Sequence, residues 1–360
     1  MKTAIIYSEE LKNYDFGAGH AFGSDRFENF LKLFKEKLGN NKKFELIKNN
    51  ELATDEELEL WHTKDYIRVL GAASKGLVLA NLSRFISQDN RDFRTGNFPK
   101  GVEKAARAAV KNSILAVDFV QQQRYEKAVG IGGGLHHAMP SYGEGFCVYN
   151  DVVIAVKHAI KKYGLERVLI LDTDAHAGNG TSKAFYSDRK VLFIDLHQKG
   201  IYPGTGFINE IGEKEGKGFT VNLPLETGTS DRAYELIFDE LILPLTKEYR
   251  PQMILRYGGS DPHFSDELTS LGLTLDGFKM IGKKVKEMSK LCNNEVVDLI
   301  CSGYNPDILP KVWLTLIASE SGVEIEFEEL VPDIKNQGFS QTKNLIKKLK
   351  ENLKPYWKSI

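Results

Sequence analysis

A chain of 360 residues with 42% hydrophobic and 27% charged side chains has a globular make-up, which excludes collagen-like and disordered classes. Forty-eight basic against 49 acidic residues leave a formal charge of −1, which excludes the strongly basic footprint of an electrostatic nucleic-acid binder. Cys147, Cys292 and Cys301 are odd in number and far apart, and no apolar run reaches the length of a membrane span. The N-terminal apolar run is too short for a signal-peptide core. A cytoplasmic protein is expected, and the sequence does not speak to its oligomeric state.

In chain order, residues 3–7 predict a strand, and Ser24 stands as a helix start before the apolar pattern at 27–38. Thr54 and Glu57 have capping-box spacing ahead of Leu58 and Leu60. A helix is expected over 102–121, a strand over 128–131, a helix over 152–163, and strands over 168–172, 191–196 and 219–223. The same patterns predict a helix at 233–248, a strand at 252–256, a helix at 275–292 and a strand at 296–301. The strands are near-continuous apolar runs rather than alternating ones, as a parallel sheet covered on both faces requires. Their alternation with helices points to an α/β fold. There is no Pro- or Ser-rich linker and no repeat, so one domain spanning 1–360 is expected. Towards the end, about 337–358, lysines surround Leu345, Ile346, Leu349 and Leu353 at helical spacing. A solvated terminal helix is the expectation there, with membrane-surface attachment the lesser reading.

Ligands of open α/β sheets gather at the carboxyl ends of strands, and the unusual residues fall there. Gly132-Gly-Gly-Leu-His136-His137, Asp172-Thr-Asp174-Ala-His176, His197, Gly258-Gly-Ser-Asp261 and Ser302-Gly-Tyr304 each follow or close a predicted strand. Asp172, Asp174 and His176 recur at i, i+2, i+4, which in an extended segment puts all three on one face. With Asp261 they offer a surplus of ligands for a divalent ion. A strand end with helix-capping aspartates and one satisfied histidine explains the same short motif equally well. Neighbouring histidines on a strand face opposite ways, but after three glycines both rings can face one cavity, as a general base and its electrostatic partner. Tyr304 then reads as a hydrogen-bond donor to a developing oxyanion, against the plainer reading of a loop tyrosine at the surface. Cys147 reads as a small buried hydrophobe rather than a nucleophile. The glycine runs lack G-x-G-x-x-G or Walker spacing, so a nucleotide site is not supported.

Taken together, Gly133-Gly-Leu-His-His-Ala138, Gly145-Phe-Cys-Val-Tyr-Asn-Asp151, Asp172-Thr-Asp-Ala-His176, Tyr202-Pro-Gly-Thr-Gly206 and Gly303-Tyr304 resemble, in order, the signatures of the histone-deacetylase-like amidohydrolases. Tyr14-Asp-Phe-Gly-Ala-Gly-His20 and His62-Thr-Lys-Asp-Tyr66 resemble the bacterial and archaeal acetoin-utilisation (AcuC-like) branch, and the similarity runs from about 2 to 322. The resemblance implies the arginase–deacetylase fold, a single α/β domain around an eight-stranded parallel sheet flanked by helices. It implies that Asp174, His176 and Asp261 hold Zn²⁺ (Fe²⁺ or Co²⁺ would also suit such ligands) and that His136 and His137 are the tandem catalytic histidines. Tyr304 would stabilise the oxyanion, Asp172 would orient His136, and Asn179 would orient His137. Gly145, Phe146 and Tyr202 would line the channel for an acyl-lysine-like stem, with Arg26 near an internal cavity. Monovalent cation (K⁺) sites would fall near Asp172, Asp174, His176, Asp195 and Leu196, and near Phe185, Asp188 and Val191.

The departures are Asn179 and Ala177 where aspartate and histidine are frequent, Leu135 for an aromatic, Ser302 for a glycine, and Tyr202 for a phenylalanine. The rim aspartate that grips a peptide backbone has only Asp92 as a candidate within 91–99. The expected function is removal of an acetyl or other short acyl group from an acyl-lysine-like or acylated amine substrate, with an acetylpolyamine the small-molecule alternative. Two remoter readings stand beside it. One is a two-metal ureohydrolase that also uses His263, although Gly178 stands where it would want a carboxylate; the other is a catalytically silent acyl-ligand binder.

Overall fold

The computed structural model describes residues 2–17, 19–77, 82–85, 98–293, 295–334 and 336–360. Its strands are β1 (Thr3–Tyr7), β2 (Phe44–Lys48), β3 (Lys127–Ile131), β4 (Val168–Asp172), β5 (Val191–Gln198), β6 (Thr220–Leu225), β7 (Met253–Tyr257) and β8 (Val296–Ile300). They form one parallel sheet in the order β2-β1-β3-β8-β7-β4-β5-β6. All residues of β1, β3, β4, β5, β7 and β8 are buried, as strands covered on both faces must be. The chain divides into two compact units, Met1–Gly164 with Asp298–Cys301, and Leu165–Val297 with Ser302–Ile360.

In the first unit, β1 pairs with β2 on one side and β3 on the other. Helix α1 (Asp25–Leu38) buries Phe27, Phe30, Leu31, Phe34 and Leu38. Ser24 stands at its start without capping it, because its backbone is already helical; its hydroxyl donates instead to Asp15 at 3.2 Å. The capping box at α2 (Asp55–Leu58) is complete, with Glu57 N–H donating to Thr54 Oγ1 at 3.2 Å and Thr54 N–H to Glu57 Oε2 at 2.9 Å. Helix α3 (Lys64–Ala73) follows, capped by Thr63. Helix α4 (Val102–Gln121) carries a stripe of fully buried alanines, Ala105, Ala106, Ala108 and Ala109. Helix α5 (Asp151–Tyr163) starts where the Asn150 side chain accepts the Val153 N–H and stops at Gly164, whose φ is 68°.

In the second unit, β4 lies between β5 and β7, and β6 pairs with β5. Helix α6 (Asn179–Phe185) follows β4 directly. The segment expected as one helix at 233–248 is α7 (Asp231–Ile237), a wider π-turn (Phe238–Ile242) and α8 (Leu243–Tyr249). Pro244 has no N–H to give to an α-helical ladder, and the π-turn just before it accommodates that loss. Helix α9 (Leu275–Ser289) is amphipathic, whereas α10 (Leu309–Glu320) is buried on nearly every side. Helix α11 (Phe339–Leu353) uses its apolar stripe within the unit, burying Ile346, Leu349 and Leu353. Beyond it, the Trp357 indole donates to Gly218 O at 2.7 Å and packs on Phe219 and Tyr249. The tail is therefore a docked helix rather than a merely solvated one. Among the described residues, no helix is long and apolar enough to cross a membrane.

Candidate active site

The two histidines belong to the first unit. There β1 is flanked by β2 and β3, so the chain turns opposite ways from one strand, the arrangement at whose carboxyl ends open α/β sheets bind ligands. The glycine turn after β3 is held by a fully buried carboxylate, Asp151, which accepts Gly134 N–H at 3.0 Å, Leu135 N–H at 2.8 Å and the Ser113 hydroxyl at 2.6 Å. Burial pushes Asp151 up to about 6 despite those hydrogen bonds, which work the other way. Asn150 donates to His136 O at 3.0 Å. The result is an irregular backbone from which both buried imidazoles meet, Nε2 to Nε2 at 3.1 Å.

Gly145 lies against this pair with φ +55°, and a Cβ there would sit 2.2 Å from His137 Cδ2, so no other residue fits. Phe146 follows, itself at φ 63°, a strained value for a bulky residue. The Tyr14 hydroxyl donates to Phe146 O at 2.7 Å, and the Phe146 ring meets His20 edge-on at 4.6 Å. Cys147 is buried, its thiol directed at Gly145 O. Arg26 is also buried; its guanidinium donates to Gly23 O at 2.8 Å and Cys301 O at 2.9 Å and lies over the Phe22 ring.

The carboxylate cluster belongs to the second unit, where β4 lies between β5 and β7 in the same kind of arrangement. The D-x-D-x-H segment is not extended. Asp172 accepts the Asp174 N–H at 2.9 Å and Asp174 accepts the His176 N–H at 2.8 Å, so each aspartate folds the chain two residues on. Asp172, fully buried, also accepts the Tyr257 hydroxyl. Those turns carry Asp174 and His176 to Asp261, which follows β7, and the ligand-capable atoms of the three lie within 4.8 Å of one another. His176 Nδ1 is 3.1 Å from Asp174 and 3.2 Å from Asp261. The carboxylate of Asp261 is aimed by the Ala175 N–H at 3.1 Å and the Ser302 hydroxyl at 2.9 Å.

Two buried carboxylates side by side demand a positive charge. Burial and the neighbouring Asp174 push Asp261 well above the usual carboxylate range. For His176, burial opposes the charged form, but hydrogen bonds to both aspartates outweigh it and push the ring up to about 10. Two carboxylates and an imidazole are a donor set that suits a divalent ion, which would take over the positive charge a proton otherwise supplies. Among the described residues, this is the one such cluster.

Tyr304 stands beside it, ring edge-on to His176 at 6.2 Å between centroids. Its loop turns at Gly303, φ 121°, where a Cβ would meet Ser260 Oγ at 1.8 Å. The Tyr304 N–H donates to Asp266 at 2.8 Å.

The remaining expected residues are dispersed through the second unit. Asn179 opens α6 and Phe185 closes it. Asp188 N–H donates to Phe185 O at 2.9 Å and Val191 N–H to Asp188 O at 3.3 Å. Buried Asp195 accepts the Gly178 N–H at 2.9 Å and faces His197 Nδ1 at 2.8 Å, and Leu196 is fully buried in β5. Burial works against charge on His197, whereas Asp195 raises its pKa. Tyr202 is half-buried in the loop after β5. His263 is turned to Ser265 and Glu329 and is not part of the cluster. Asp92 lies outside the described residues. Sequence spacing gives no sign of the hydrogen bonds that Asp266, Ser265 and Glu329 make across 38, 40 and 66 positions.

The histone deacetylase domain family matches residues 20–319. A probable deacetylase of Archaeoglobus fulgidus is 34% identical over 372 aligned residues, covering 99% of each chain. The acetoin utilization protein AcuC of Staphylococcus aureus is 35% identical over 87% of this chain and 80% of its own. Among solved structures, the HDA15 HD domain superposes with a TM-score of 0.84 at 23% identity, over 100% of this chain and 98% of that one. A match across most of the chain, with a relative 34% identical over 99% of each chain, makes this protein a member of the histone deacetylase family.

Proposed function

We propose that the chain is a metal-dependent amidohydrolase that removes an acetyl or other short acyl group from an acyl-lysine-like or acylated amine substrate. The observation that carries this reading is the Asp174–His176–Asp261 cluster, its two carboxylates buried, with the Tyr304 ring set edge-on to His176. When bound there, a divalent ion, Zn²⁺ first among the candidates, supplies Lewis acidity to the scissile carbonyl and to the attacking water. His137, hydrogen-bonded to His136, takes the water's proton, and the pair returns a proton to the leaving amine. The Tyr304 phenol donates a hydrogen bond to the carbonyl oxygen as it gains negative charge. Asp172 and Asn179 orient the two imidazoles, and Phe146 and Tyr202 flank the aliphatic stem of the substrate.

In this reading residues 1–360 make one catalytic domain, and the three buried free cysteines favour a reducing, cytoplasmic setting. The two-metal ureohydrolase reading is weakened because His263, which it would need as a ligand, already faces Ser265 at 2.9 Å and Glu329 at 2.5 Å. The test is a turnover panel of acyl-lysine peptides and acetylpolyamines, run on metal-stripped and on Zn²⁺-, Co²⁺- or Fe²⁺-reloaded protein. Metal-dependent release of a free amine is expected. Equal turnover without metal would overturn the reading, and tight acyl binding without turnover would replace it with a silent binder.

A further inference from the structure

Tyr304 has no helix or strand to hold it; it sits in a loop after β8, and what fixes that loop lies elsewhere in the chain. Its own N–H donates to Asp266 Oδ2 at 2.8 Å. The other oxygen of Asp266 accepts Leu268 N–H at 3.0 Å and Thr269 N–H at 3.3 Å, so this carboxylate is itself anchored in a turn. The next residue, Asn305, donates through Nδ2 to Ser265 O at 2.8 Å and Ser265 Oγ at 3.1 Å. Ser265 is held in turn by His263, whose Nδ1 accepts the Ser265 N–H at 3.1 Å and lies 2.9 Å from its hydroxyl.

An Nδ1 that accepts a backbone N–H leaves the ring proton on Nε2. That nitrogen faces Glu329 Oε1 at 2.5 Å, while Glu329 Oε2 accepts the Leu275 N–H at the start of α9 at 3.0 Å. Glu329 therefore fixes the His263 ring and its tautomer from a residue 66 positions away. Next to it, Leu330 is 97% exposed, so the chain here runs over the surface and dips inward at Glu329.

We propose that Asp266 and Glu329 are positioning residues for Tyr304, Asp266 by holding its backbone amide and Glu329 by fixing, through His263 and Ser265, the platform on which Asn305 rests. The proposal rests on the reading of Tyr304 as the oxyanion donor. A donor displaced by a fraction of an ångström still binds substrate but misses the oxygen that develops charge, so the defect belongs in kcat.

The test measures kcat and KM on metal-replete full-length protein for Asp266→Ala, Asp266→Asn, Glu329→Ala and Glu329→Gln. Each is made alone and again with Tyr304→Phe, with metal content and Tm followed in parallel. Asp266→Ala and Glu329→Ala should each lower kcat about tenfold or more with KM within about twofold. Glu329→Gln, whose amide oxygen can still accept from Nε2–H while its NH2 is left facing the Leu275 N–H, should recover part of the loss. In the Tyr304→Phe background the same substitutions should change kcat less than about twofold, because the group they position is gone. Equal fold-losses in both backgrounds, or no loss with Tyr304 present, overturn the proposal. If Tyr304→Phe alone keeps full kcat, the reading of Tyr304 falls first and the proposal with it. Should Asp266→Ala or Glu329→Ala fail to fold, Asp266→Asn, which keeps only one of the two accepting oxygens, or Glu329→Gln takes its place, read in both backgrounds by the same criterion.

Discussion

His136 and His137 present their Nε2 atoms to each other at 3.1 Å, with ring centroids 4.0 Å apart. Such a contact is a hydrogen bond only while one nitrogen carries a proton and the other offers a lone pair. At that separation one proton can be held between the two rings, and the proposed mechanism uses them as a pair. Replacing either with alanine should lower kcat by about 10²–10⁴, the range for a general acid–base group. The double variant should be no worse than about the poorer single variant, as for residues that act together. Losses that multiply would show two independent roles.

Asp174, His176 and Asp261 should hold one divalent ion per chain. Dialysis against a chelator should remove it and abolish turnover, and Zn²⁺, Co²⁺ or Fe²⁺ should restore activity. His176→Ala and Asp261→Asn should lose the ion, read by elemental analysis against protein concentration. Variants that keep a full equivalent of metal would place the ion elsewhere.

Tyr304→Phe keeps the ring beside His176 and removes only the hydroxyl. Loss of one oxyanion donor costs about 10²–10³ in kcat, roughly 2.7–4 kcal/mol. The expected result is that fall in kcat with KM, metal content and Tm close to wild type. A folded, metal-replete variant with more than about half of wild-type kcat would remove Tyr304 from the chemistry.

Asp151 offers a prediction about stability rather than turnover. Burial raises its pKa from 3.8 to about 6, so the folded chain holds this proton more tightly than the unfolded chain. The associated stability is complete below the unfolded value and is lost as pH rises through about 6. Two pK units correspond to on the order of 3 kcal/mol. Asp151→Asn keeps an oxygen for the Gly134 and Leu135 amides and a donor for Ser113, without an ionisable proton. Urea unfolding at pH 5 and pH 8 should show the variant gaining on wild type at the higher pH. Parallel curves would mean that Asp151 does not titrate in this window.

Much of this architecture is legible in the sequence because buried parallel strands announce themselves as continuous apolar runs, as Val168 to Asp172 does. Strand β2 is the exception: Phe-Glu-Leu-Ile-Lys mixes charge into an edge strand with only Phe44 buried, so it gives no such run. Helix α10 escapes for the opposite reason, being apolar nearly all round and so without a periodic face. Asp174, His176, Asp261, His136, His137 and Tyr304 stand out because chemistry-bearing residues follow strand ends. How they are held does not. The turns made by Asp172 and Asp174 come from hydrogen bonds to amides two residues on, where spacing alone suggests an extended face. The hold of Asp266 on Tyr304 joins residues 38 apart, a pairing that no local pattern encodes.

The docking of Trp357 sets an order on how the second unit can be completed. Its indole binds Gly218 O, 139 residues earlier in the chain, and covers Phe219 and Tyr249, which also precede it by more than a hundred residues. During synthesis those aromatic faces are finished long before their cover leaves the ribosome. A chain stopped short of residue 357 would present them to solvent, together with the partners of Ile346, Leu349 and Leu353. Truncation of the last helix should therefore show first as aggregation of newly made protein, before any change in the chemistry at Tyr304 could be measured.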